Sequence, residues 1–90
     1  MDEAEVKAIA RAIVSHLKAK PLASDTQMGI AQWWLQPGGE FSDEALGKAL
    51  ELLRRSGVIE EVLATDGRKR YRRCSSDVEL EALLNGELRR

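Results

Sequence analysis

The sequence predicts a mainly helical domain with a small β-hairpin. Its parts are a three-helix core, a two-stranded antiparallel hairpin and a short C-terminal helix. Three observations predict it. Ser24, Ser42 and Ser76 each stand where a helix needs an N-cap. Gly57 closes an amphipathic stretch, as glycine does at the left-handed position after a helix. Asp66-Gly67 then separates two strand-like runs, and a two-residue turn of that type needs positive φ.

The first helix is expected from about Asp2 to Ala19. Val6, Ile9, Ala10, Ile13 and Leu17 recur on one stripe. Asp2, Glu3 and Glu5 in its first turn, and Lys18 and Lys20 at its end, suit the helix dipole. Pro21 stops it, and Leu22-Ala23 reads as a very short strand. Ser24, with Gln27 three residues on, forms a capping box for a second helix over about Asp25 to Leu35. Its inner face is read as Ile30, Ala31, Trp34 and Leu35. Trp33 and Trp34 lie 100° apart around a helix, so only one can point at the centre. Trp34, one turn after Ile30, is taken as the deeper. Trp33 then either anchors a partner or packs under the loop that follows.

That loop, with Pro37-Gly38-Gly39, is longer than a usual helix-turn-helix turn. Ser42 as N-cap places Phe41 against Leu46 as a hydrophobic staple for the third helix, which runs to about Ser56. Leu46, Ala49, Leu50 and Leu53 form its apolar face. Strands follow at 58–63 and 68–73. Ser76 and Glu79 make a further capping box before a short helix carrying Leu80, Leu83 and Leu84. Ile13, Ile30, Trp34, Leu46, Leu50, Leu53 and Ile59 are expected to share one core.

Ninety residues, 43% hydrophobic and 32% charged, read as one soluble globular domain. Residues 1–74 form the core and hairpin, and 75–90 a helical extension. The acidic start MDEAEVK lacks a signal peptide's basic, apolar pattern, and no apolar run spans a membrane. Cys74 is the only cysteine, which excludes an internal disulfide and suits a reducing cytoplasm. Its thiol follows a basic run that could lower its pKa; the alternative is an incidental, half-buried cysteine. His16 is the only histidine and has no cysteine or carboxylate cluster beside it, so it is read as a surface or boundary residue rather than a metal ligand. With no metal cluster, no phosphate-cradling loop and no partnered nucleophile, neither an enzyme nor a cofactor is expected.

The net charge is −1, but its distribution is uneven. Residues 58–74 carry a local +2, while 25–41 and 75–90 each carry −2. The run LELLRRSGVIEEV (50–62), followed by DGRKRYRR (66–73), resembles the winged-helix domains of bacterial transcriptional regulators. The resemblance covers about residues 5–73. It implies a third helix at the major groove of double-stranded DNA and a wing on phosphates. Carried over, Asp43, Glu44, Gly47, Lys48 and Glu51 would face bases, although the two carboxylates at the helix start oppose docking. On the returning strand an inward Tyr71 puts Lys69 and Arg73 on its own face and Arg70 and Arg72 on the other.

The DNA-binding set implied is therefore Lys48, Arg68, Lys69, Arg70 and Arg72. The opposing reading pairs Arg70 and Arg72 with Glu60 and Glu61 across the hairpin. A homodimer is expected with DNA binding, since two copies double the contacts; Trp33 or Leu80, Leu83 and Leu84 would supply its face. The alternative function is a protein-interaction adaptor on the same scaffold, favoured by near-neutral charge, the acidic start of the third helix and Trp33.

Overall fold

A computed structural model describes residues 3–35 and 42–86. In chain order the elements are α1 (Glu3–Ala19), β1 (Ser24–Asp25), α2 (Gln27–Gly29) running on into a wider π-helical turn (Ile30–Trp34), α3 (Asp43–Arg55), β2 (Ile59–Leu63), β3 (Lys69–Arg73) and α4 (Asp77–Asn85). The Pro37-Gly38-Gly39 loop, the Phe41 staple, Asp2 and the last four residues lie outside the described residues.

The core is one cluster. Ile9, Ala10, Ile13, Val14 and Leu17 of α1 meet Ala45, Leu46, Ala49, Leu50 and Leu53 of α3, with Ile30, Leu35, Val58, Ile59 and Leu80 closing it. The stripe expected on α1 is buried from Ile9 to Leu17 and widened by Val14, while Val6 is only partly buried against it. Of the seven residues expected at the centre, six are buried. Trp34 is half-buried and packs against the cluster instead. The wider turn explains the exchange. Leu35 donates its N–H to the Ile30 carbonyl, five residues back, at 3.2 Å. Leu35 then joins Ile30 inside, and Trp34 is left at the margin.

The segment before α2 differs from expectation. Ser24 does not cap a helix. Ser24 and Asp25 pair with Arg72 and Tyr71 of β3, two residues beyond the strand expected at Leu22-Ala23. The backbone of Ser24 is committed to the sheet, so capping passes to Thr26. Its Oγ1 accepts from Gly29 N at 3.1 Å. The sheet therefore has three strands rather than two, in the order β1-β3-β2, with both pairings antiparallel.

From α3 onward the local signals hold. Ser42 Oγ accepts from Ala45 N at 3.1 Å. The helix ends in a complete Schellman motif: Val58 N–H reaches the Leu53 carbonyl, and Gly57 N–H the Arg54 carbonyl. Gly57 has φ +79°, and Leu53 and Val58 are both buried, the apolar contact that accompanies this motif. The hairpin turn is one residue longer than the two-residue form. Gly67 N donates to Ala64 O and Ala64 N to Arg68 O, each at 2.9 Å. Gly67 has φ +85°, whereas Asp66 does not have positive φ. This is a three-residue loop with a glycine bulge, and only the glycine needs the left-handed conformation. Before α4, Ser76 and Glu79 form both halves of the capping box.

Candidate functional site

The candidate surface is built on β3 and the turn before it. Because successive strand residues alternate sides, Tyr71 shares a face with Lys69 and Arg73, and Arg70 and Arg72 take the other. Pairing in register sets Tyr71 opposite Glu61 and Arg72 opposite Glu60. Tyr71 is half-buried against the core, and its hydroxyl donates to Glu61 Oε1 at 3.4 Å. Burial, and then Glu61, pushes its pKa above the ordinary 10.0.

The cations of the expected DNA-binding set are all within reach of solvent, yet most are partnered. Arg72 Nε lies 2.6 Å from Glu60. Lys69 Nζ lies 3.8 Å from Glu61. Arg68 Nε is 4.0 Å from Asp66, whose carboxylate also accepts from Arg68 N at 3.0 Å. These three side chains keep 55–76% of their surface exposed. Arg70 is half-buried and is spoken for differently. Its Nη1 donates to the Ser24 carbonyl at 3.1 Å, so it ties β1 to β3. The cross-hairpin pairing set against DNA contact is thus present for Arg72 with Glu60. Glu61 takes Lys69 and Tyr71 rather than Arg70.

On α3, Asp43 and Glu44 are exposed at the helix start, and Lys48 is exposed one turn on with no ion pair among the described residues. Farther along, Arg54 Nε donates to Glu51 at 3.1 Å, and that bond holds the Glu51 carboxyl below its ordinary range. The charged surface of α3 and the hairpin is therefore mixed: Arg54, Arg68, Lys69 and Arg72 each lie beside a carboxylate, and Arg70 instead meets the Ser24 carbonyl.

No protein-family model, curated protein or solved structure matches this chain.

The residues offered for partner contact separate into two groups. Trp33 is 76% exposed, and Met28 on the same segment is exposed as well. Leu80, by contrast, is fully buried, and Leu83 and Leu84 are half-buried against the core. α4 turns its leucines onto the domain because they complete the core beside α1; Leu80 is a packing residue and supplies no dimer face. Cys74 is exposed, but its thiol is not activated by the basic run. Partial burial, with Glu60 and Glu79 near, raises its pKa, and its Sγ donates to the Gly57 carbonyl at 3.3 Å.

Arg73 is the residue that sequence reasoning left out. Its side chain is only 11% exposed. The guanidinium donates to the carbonyls of Ser75 and, at 3.4 Å, Leu17, and lies 3.0 Å from Asp77. It binds the negative end of α1, the end of β3 and the start of α4 with one planar fork. The strand alternation already placed it on Tyr71's inward face, and an inward arginine must find acceptors.

Among the described residues no group of three or more His, Cys, Asp or Glu side chains is placed to hold a metal ion. No described helix is long and apolar enough to cross a membrane.

Proposed function

We propose that this chain is a non-enzymatic winged-helix module that binds double-stranded DNA chiefly through its wing. The observation that carries the reading is the exposure of Arg68, Lys69 and Arg72 together on one turn and strand. Support for the winged-helix arrangement comes from the order of helix, glycine stop, strand, glycine turn and basic strand, with a short strand near the second helix pairing onto the far side of β3. α3 plays a smaller part, since Asp43 and Glu44 repel phosphates where the helix would enter a groove and only Lys48 attracts them. Contacts of this kind are to the backbone of the duplex and carry no base information. A cytoplasmic setting suits both the function and the lone thiol.

A second reading, a protein-docking module, has its own observation. Trp33 offers a large exposed anchor, and tryptophan is favoured at the centre of protein interfaces. The same residue would serve a homodimer.

One salt titration separates the two. The parent chain is titrated on random duplex DNA beside the triple variant Arg68→Ala, Lys69→Ala, Arg72→Ala; Arg70 is spared because it holds Ser24. The variant should bind more weakly by a similar factor on every sequence. Its slope of log affinity against log salt should shrink by up to about three units, roughly 0.9 per phosphate contact. Parent binding no tighter than about millimolar at 0.15 M salt, far weaker than ordinary non-specific binding, would end the DNA reading. Trp33→Ala would then be assayed for loss of self-association or partner binding.

A further inference from the structure

We propose that Glu60 and Glu61 mask the wing: they hold Arg72 and Lys69 in internal pairs and set how strongly it can grip a polyphosphate backbone. The inference rests on the DNA reading above and adds to it a pair of residues that oppose binding. β2 and β3 are in strict register, so Glu60 stands opposite Arg72 and Glu61 opposite Tyr71, next to Lys69. Arg72 is 2.6 Å from Glu60, and Lys69 3.8 Å from Glu61. Both carboxylates belong to a regular strand, and the ladder fixes where they stand. A phosphate that takes Arg72 meets a guanidinium whose Nε is already held by Glu60, so it competes with that carboxylate for the same positive charge. The Glu60 carboxylate then remains beside the phosphate as a like charge. The same holds for Lys69 and Glu61. Duplex affinity is therefore governed by an exchange of carboxylate for phosphate, not by the number of cations alone.

The test compares the parent with Glu60→Gln, Glu61→Gln on a random-sequence DNA duplex between 50 and 200 mM salt, about the range over which phosphate contacts show themselves. Glutamine keeps the shape of each side chain and removes the charge. A control double variant, Glu3→Gln, Glu5→Gln, changes the net charge equally at the opposite end of α1 from Leu17, roughly 20 Å along the helix axis. The unmasked variant should bind about threefold to thirtyfold tighter at the low-salt end. Its salt slope should steepen by up to about two units. The control should move little. Far-ultraviolet circular dichroism should be the same for all three proteins. Equal tightening by the control would overturn masking in favour of a plain net-charge effect. A parent that binds with no gain on unmasking would overturn the inference and leave the DNA reading standing. If neither protein binds, both fall. If only the unmasked variant binds, the two carboxylates do mask the strand, but the parent is no DNA-binding module and the DNA reading above falls.

Discussion

The His16 ring lies nearly parallel to Trp34, with centroids 4.6 Å apart and planes 15° apart. Burial beside that ring, with Lys20 adding, lowers the imidazole pKa from its ordinary 6.5. The folded chain thus favours neutral His16, while the unfolded chain takes up its proton nearer 6.5. Below that pH the unfolded state binds more protons, so this contribution is complete above 6.5 and is lost as pH falls toward the folded value. Urea midpoints at pH 7.5 and 5.5 should therefore fall further for the parent than for His16→Gln. Carboxylates contribute to both proteins, so the difference isolates the histidine; equal falls would remove the claim. The boundary position of His16 was legible, since it has no polar cluster in the sequence. Its partner was not. Trp34 reached the rim only because the π-helical turn moved Leu35 inward, and one inserted hydrogen bond leaves no mark on residue spacing.

Among the elements, the ones fixed by short-range chemistry were legible and the one fixed at long range was not. Ser42, Gly57 and the Ser76–Glu79 box act within a few residues, so their signatures are complete where they stand. Ser24 carries a cap signature as good as any of these. It loses the role because β3, far along the chain, claims its backbone. Arg73 belongs to the same class, since it links three elements that sequence separates. Arg73→Ala should lower unfolding free energy by about 2–3 kcal/mol, the scale of hydrogen bonds to a charged group together with acceptors left dry. Arg73→Lys should recover less than half, because an ammonium cannot serve three acceptors from one planar fork. Urea denaturation checks both. A loss below about 0.5 kcal/mol, the scale of an ordinary surface substitution, would reduce the clamp to an incidental contact.

For the molecule as a whole, α4 is part of the domain and not an appendage. Leu80 is enclosed with the rest of the core, Arg73 reaches Asp77, and Lys18 of α1 pairs with Glu81. Ending the chain at Ser75 removes one fully buried leucine, worth about 1.5–3 kcal/mol by its area, together with the Arg73–Asp77 and Lys18–Glu81 pairs. A melting temperature lower by at least about 10 °C is expected, since a domain of this size shifts 4–8 °C per kcal/mol. A shift of under about 4 °C, less than 1 kcal/mol on that scale, would restore the view of α4 as an independent extension. The basic hairpin strand was legible as a run, and so was a cross-hairpin partner for Arg72 in Glu60; that Glu61 takes Lys69 and Tyr71 while Arg70 turns to Ser24 was not, because those partners follow from the register and from the distant β1. The closures that finish the domain have a consequence for the order of events in folding. Arg70 reaches Ser24 across 46 residues, and Arg73 reaches Leu17 across 56. Contacts so distant form only after the intervening chain has been gathered in. On the ribosome, the Leu17 carbonyl near the end of α1 would stay open until the hairpin has been synthesised, so the end of the helix made first is closed by a residue made late.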